Sequence, residues 1–145
     1  MRTSTAVAGL LVGLATQAGA SALASELTVK VSGVDSDRGE IGCALFESAD
    51  GFPTDNSGAR SIWRPTRNGG AVCRFTDVPA GRVAVAVSHD LNKNRVTDTN
   101  FLGIPTEAWG VSNNVRPTLR APRFDEAAFD LKAGEKASIE IEVLK

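Results

Sequence analysis

Short oxygen-bearing side chains are concentrated in one stretch of the sequence, SHDLNKNRVTDTNFLGIPTEAWGVSNN, which spans residues 88–114. Carboxylate and amide oxygens at near-alternate positions of a tight loop can turn inward around one Ca²⁺ ion, which takes about six to eight oxygen ligands. The pattern D-x-N-x-N-x-x-x-D-x-N therefore predicts a weak calcium site. The candidate ligands are Asp90, Asn92, Asn94, Val96 (through its backbone carbonyl), Asp98 and Asn100.

The match to calcium loops of the EF-hand type is incomplete. Arg95 stands where those loops need glycine, and Phe101 stands where they place a bidentate glutamate. Glu107 can approach the run from the following turn. The alternative is that the Asp and Asn side chains cap the backbone of their own turns, which they do readily because they tolerate left-handed conformations. Both interpretations remain open from the sequence.

The only histidine, His89, lies between Ser88 and Asp90. These are the three residue types of a serine hydrolase, but successive strand residues point to opposite faces, which separates His89 from both neighbours. The sequence also has no G-x-S-x-G elbow to expose a nucleophile. We therefore predict a protein that is not an enzyme, in which His89 is structural and bonded to the loop that follows it. A hydrolase that uses His89 with a nearby carboxylate is the alternative.

Two tryptophans, Trp63 and Trp109, fall in the two long polar connections. They can form an aromatic platform for a ligand, or they can anchor their loops against the core. The connection that contains Trp109 runs from residue 89 to 123, which is too long for an ordinary loop and favours a functional one. Because it also holds Phe101, Leu102 and Ile104, we expect it to be ordered and packed.

The elements that must position this loop are short strands, since apolar and polar residues alternate along most of the chain. Residues 83–87 are apolar on both faces, which predicts a central strand that is covered on both sides. Residues 124–130 can make one helical turn. The predicted class is an all-β, seven-stranded, Greek-key β-sandwich with one long ordered loop. The alternating segments are 27–31, 41–46, 71–75, 83–87, 129–131 and 137–143.

The two cysteines, Cys43 and Cys73, each lie on the apolar face of a predicted strand. Side chains that point into the same core can be joined, and an even number of cysteines in an exported protein favours pairing. We predict a Cys43–Cys73 disulfide. Two buried free thiols are the alternative.

Residues 1–24 have the features of a secretory signal: one early positive charge, a short apolar run and small residues at the end. Cleavage is predicted after Ala24, with Ala20 as a second candidate, and leaves residues 25–145 as one domain. The 16 basic residues include Arg2, so 15 basic and 17 acidic residues remain and the net charge is −2. This balance argues against nucleic acid as a partner. We expect a periplasmic or secreted protein that does not insert in a membrane after cleavage.

The segment HDLNKNRVTDTNFLGIPTEAWGVSNN, with DVPAGRVAVAVS before it and PRFDEAAFDL after it, resembles a family of exported bacterial proteins, domain of unknown function 2141. The resemblance covers about residues 27–143. It implies a prealbumin-like or carboxypeptidase-regulatory-like β-sandwich, and no established activity. It also adds positions to the candidate binding loop, whose members are His89, Glu107, Trp109, Ser112 and Asn113.

The sequence therefore predicts a non-enzymatic binding or accessory module of the bacterial envelope. Its partner is expected to be an envelope protein or a glycan, and calcium is the one candidate cofactor. The two alternatives to a binding module are the hydrolase and a purely structural envelope protein.

Overall fold

Residues 23–145, the part of the chain that this computed structural model describes, form eight β-strands, one α-helical turn and two 3-10 turns, Asn56–Gly58 and Ser112–Asn114. The predicted signal peptide lies outside the described residues, apart from Leu23 and Ala24. No helix among the described residues has both the length and the apolar character needed to cross a membrane. The strands are β1 (Ser25–Ser32), β2 (Glu40–Phe46), β3 (Arg60–Pro65), β4 (Ala71–Val78), β5 (Gly81–Asp90), β6 (Trp109–Val111), β7 (Phe129–Leu131) and β8 (Lys136–Glu142), and the helix is α1 (Phe124–Ala127).

The strands form two sheets whose apolar faces share one core. The first sheet has the order β4-β1-β8, in which β8 runs parallel to β1. The second has the order β3-β2-β5-β6, and β7 pairs with the beginning of β5. Leu27 and Phe75 from the first sheet and Ile41 and Val85 from the second are all buried in the same cluster. The predicted all-β sandwich is confirmed.

The predicted disulfide is also confirmed. Cys43 on β2 and Cys73 on β4 are bonded, and both are fully buried. Because β2 and β4 belong to different sheets, the bond joins the two layers through the core.

The structure has eight strands where the sequence predicts seven. Six of the eight strands correspond to the six alternating segments of the sequence, and the other two, β3 and β6, lie inside the two connections that the sequence predicts as loops. In β3, Ile62 packs against the core and Trp63 lies over Gly42 of β2, so that a Cβ built on Gly42 would be 2.5 Å from the indole ring. In β6, three residues pair with β5. Neither strand has the repeated apolar alternation from which the others were predicted.

β5 is central, as predicted, and its two faces have different neighbours. Val83, Val85 and Val87 point into the core. On the outer face, Ala84 is buried beneath α1 and the segment that contains Phe52. The single helical turn predicted in residues 124–130 therefore exists and covers one half of this outer face. The helix α1 does not cover the other half of this outer face.

Candidate functional site

Two buried carboxylates hold the beginning and the end of the long loop. Asp90 is fully buried, and its carboxylate accepts hydrogen bonds from the backbone N–H groups of Asn94 (3.2 Å) and Arg95 (2.6 Å). Glu107 is 4% exposed and accepts from the N–H groups of Leu91 (2.9 Å) and Asp98 (3.3 Å). Each side chain thus satisfies two backbone donors that no sheet could satisfy.

The remaining Asp and Asn side chains of the run bond to one another and to their own turns. The amide groups of Asn92 and Asn94 donate to the two carboxylate oxygens of Asp98, at 2.6 and 2.9 Å. Their carbonyl oxygens accept from backbone N–H groups two residues further along. Asn100 closes a separate turn, since its side-chain oxygen accepts from the N–H groups of Leu102 and Ile104.

The structure therefore brings four of the predicted calcium ligands together, Asp90, Asn92, Asn94 and Asp98, while Asn100 serves the next turn. The hydrogen bonds match the self-capping alternative, because each of these side chains already has backbone or amide partners. In residues 23–145, no group of three or more His, Cys, Asp or Glu side chains is arranged to hold a metal ion. The calcium site stays a prediction.

His89 lies inside the sandwich rather than in the loop. It is 4% exposed, and its Nε2 lies 2.7 Å from the carbonyl oxygen of Arg38, in the connection before β2. The imidazole of His89 therefore bonds to the connection that precedes β2. The sequence predicts instead that it bonds to the loop that follows His89. No carboxylate of the described residues is hydrogen-bonded to the imidazole ring.

Two predicted members of the binding loop fasten the helical turn to the sheet. The buried hydroxyl of Ser112 donates to the carbonyl of Ala127 (2.6 Å) and accepts from the N–H of Val85 (3.0 Å). The amide group of Asn113 donates to the carbonyls of Glu126 and Ala128. Both side chains are therefore engaged within the protein.

A groove of about 500 Å³ lies beside this loop, on the half of the outer face that α1 leaves uncovered. Its floor is made of small residues, chiefly Ala44 and Ala86, and Trp109 stands at one side. Three connections form its walls: residues 53–56, 97–105 and 117–122. The volume is within the range of about 300–1,000 Å³ that is usual for small-molecule sites.

The apolar residues of the long loop do not pack inward, as was expected from the sequence. Phe101 is 95% exposed, Leu102 67% and Ile104 54%, and Leu119 on the opposite wall is 96% exposed. The reason is that Asn100 and the pairing of Thr99 with Pro105 form a small hairpin that projects from the sheet. Leu102 and Ile104 then line the groove instead of the core.

The two tryptophans have different environments. The guanidinium carbon of Arg116 lies 4.3 Å from the centroid of the Trp109 ring, and the same guanidinium donates to the carbonyls of Trp109 and Leu144. The indole of Trp109 is thereby held in place at the groove. Trp63 covers Gly42, the guanidinium carbon of Arg95 lies 5.5 Å from the centroid of the Trp63 ring, and Trp63 does not line the groove.

The one charged residue of the groove lining is neutralised. Arg120 donates to both carboxylate oxygens of Glu126, at 2.9 and 2.6 Å. The hydrogen bonds from Arg120 and from the backbone N–H of Arg123 lower the pKa of Glu126 to about 2. At neutral pH the pair carries no net charge into the groove.

The groove was missed in the sequence because its floor comes from β2 and β5 and its walls from three separate connections. One signal could have indicated it: Phe101, Leu102, Ile104 and Leu119 are large apolar residues in segments that are otherwise polar or proline-rich. When large apolar residues of this kind are exposed together, they commonly mark an interaction surface.

The fold and the site define an all-β sandwich domain with a neutral groove on the outer face of one sheet. The chain belongs to the family described as uncharacterized proteins conserved in bacteria, DUF2141, whose model matches residues 29–140. The match includes the self-capped loop, residues 90–107, and all of the residues that line the groove. No curated protein and no solved structure matches the chain.

Proposed function

We propose that the protein is a non-enzymatic binding module of the bacterial envelope and that it holds its ligand in the groove beside Trp109. The observation that carries the proposal is the construction of the groove: a floor of small residues, three convergent walls and one fixed indole. Mostly apolar, concave sites with a few polar groups are the usual form of ligand sites.

The self-capped loop supports this proposal because it prepares one wall before a ligand arrives. Asp90 and Glu107 accept four hydrogen bonds from backbone N–H groups of residues 91–98, and the Asp98 carboxylate accepts two more from the side-chain amides of Asn92 and Asn94. The start of the wall is therefore fixed before binding. Preorganisation of this kind increases affinity because less conformational entropy is lost.

The proposal can be tested without knowing the ligand, by photocrosslinking in a bacterial host that exports the full chain. A benzophenone amino acid placed at Leu102 or Leu119 lies on the rim of the groove. Val72, which is 39% exposed on β4, is the matched control on the other sheet. We expect a discrete adduct from both rim positions and none from Val72. Absence of a rim adduct, or the same adduct from Val72, would contradict the proposal.

Export is part of the proposal, and two contacts near the start of the described residues support cleavage after Ala20 rather than after Ala24. Ser25 is fully buried, and Leu23 accepts a hydrogen bond from the N–H of Gly134 (2.9 Å). Cleavage after Ala24 would lose that bond and would place a charged amino group at a buried position, which is unfavourable. We expect the mature protein to begin at Ser21. Mass spectrometry of the periplasmic protein tests this, and a mature chain that begins at Ser25 would contradict it.

Calcium binding by the loop is a second candidate function, because Asp90, Asn92, Asn94 and Asp98 converge. The two amide groups would have to turn their oxygens toward the ion and give up their bonds to Asp98. The proposed binding function does not depend on the ion.

A further inference from the structure

The groove is lined by several polar side chains that have no hydrogen-bond partner among the described residues. Within residues 23–145, the side chains of five polar groove residues make no hydrogen bond to the protein. The Asp and Asn side chains of residues 90–100, by contrast, are all hydrogen-bonded within the protein. The five residues are Thr54, Asn56, Ser88, Thr97 and Thr118.

Asn56 is the clearest case. Its side-chain oxygen is buried and has no hydrogen-bond partner in the described part of the chain. Asp55 fixes its position, since the Asp55 carboxylate accepts from the N–H of Ser57 (3.0 Å), a bond that also lowers the pKa of Asp55. A buried acceptor without a partner in the protein is costly unless a donor from outside the chain, a water or a ligand, reaches it.

The arrangement of the outer face places an aromatic ring next to this polar set. The strand register puts Trp63, Gly42, Ser88 and Trp109 in one row across the four strands. Gly42 is covered by Trp63, and Ser88 is left as the polar floor residue beside the fixed indole of Trp109. A ligand on this floor therefore meets a ring at one side and a hydroxyl beneath it.

We infer that the groove binds a neutral glycan, through a pyranose ring that packs against Trp109. The inference rests on the proposed function. A sugar has apolar C–H faces that suit an indole, and hydroxyl groups that both donate and accept, as four hydroxyls and one amide of the lining require. Since the charge of Arg120 is already neutralised by Glu126, the glycan carries no charge at this site.

Other ligand classes fit these observations less well. An acyl chain would cover the five polar side chains without giving them partners, which is unfavourable for each of them. A peptide that binds by strand addition needs the free edge of a sheet. The floor of this groove is a sheet face, where the backbone groups of β2 and β5 are already paired.

The test is a titration of the mature protein with the neutral trisaccharides cellotriose, chitotriose and maltotriose, followed by calorimetry. We expect at least one of them to bind. Ser88→Ala and Asn56→Ala should each weaken the Kd about two- to tenfold, the effect of one neutral hydrogen bond. Trp109→Phe should weaken it about three- to tenfold, because the smaller ring offers less contact. Thermal unfolding of each variant verifies that it is folded.

Matched controls locate the effect. Trp63→Phe, on the same outer face but outside the groove, and Ser138→Ala, on exposed β8, should leave the Kd unchanged. Trigalacturonic acid serves as the anionic comparison and Nile red as the apolar one.

Three results would overturn the inference: no binding of any neutral trisaccharide, preferred binding of the anionic sugar, or binding that Trp63→Phe weakens and Trp109→Phe does not. If Nile red or an in-cell adduct at the rim is found while no sugar binds, the glycan is excluded and the binding module stands. If rim adducts are also missing, the proposed function fails as well.

Discussion

Replacement of Asp90 by asparagine tests whether the loop is held by its own hydrogen bonds. Both carboxylate oxygens of Asp90 accept from backbone N–H groups, and the side chain is fully buried. Asparagine has one oxygen, so one bond is lost, an NH₂ group faces an N–H, and the remaining bond becomes neutral. Two charged hydrogen bonds contribute about 1.5–3 kcal/mol each, and one neutral bond contributes about 0.5–1.5 kcal/mol.

The loss of hydrogen-bond energy in Asp90→Asn is therefore about 2–5 kcal/mol. Because asparagine is neutral, the variant no longer buries a charge, and the expected decrease in the free energy of unfolding is about 2–3 kcal/mol. For a chain of this size that corresponds to a decrease in Tm of about 8–12 °C. Asp130→Asn, at an exposed position of β7, is the control and should change the free energy of unfolding by less than about 0.5 kcal/mol. Urea unfolding and hydrogen exchange of residues 91–106 provide the assay. Equal stability of the two variants, with unchanged exchange in the loop, would refute the reasoning.

Arg120 and Arg123 lower the pKa of Glu126 to about 2. The ionised Glu126 therefore stabilises the fold above its ordinary pKa near 4.5, and this stabilisation is lost as the pH falls toward 2. Arg120→Met should reduce this acid dependence of Tm, and an unchanged pH profile would argue against the ion pair. Because the loop is self-capped, Tm should be the same in EDTA and in millimolar calcium, and a clear increase with calcium would instead support the metal site. Reduction of the Cys43–Cys73 bond, which closes a separation of 30 residues, should lower the free energy of unfolding by about 3.6 kcal/mol in urea titrations, and a loss below about 1 kcal/mol would contradict the chain-entropy estimate.

The parts of the fold that were predictable are those with regular alternation. β1, β5 and β8 show it over several residues, and the parity of Cys43 and Cys73 predicted their bond. β3 was not predictable because its one core residue, Ile62, is surrounded by exposed or half-buried residues. Its presence depends on pairing with β2, which is a long-range property.

The site was predictable in composition but not in geometry. The sequence identifies residues 90–100 as one unit and allows two interpretations of it, a calcium site and a self-capped loop. Which interpretation holds depends on which donors each oxygen meets, and those donors come from the folded loop and from Glu107. The groove itself depends on the heights of three connections above the sheet, which no local pattern encodes.

We propose that ligands enter beside Trp109 and not beside Trp63. The chain has two tryptophans, so a ¹H–¹⁵N spectrum has two indole N–H signals, and Trp63→Phe assigns them. During titration with the neutral trisaccharides, we predict that the Trp109 signal moves and that the Trp63 signal stays in place. A Trp63 signal that moves alone, or two signals that never move, would contradict the account.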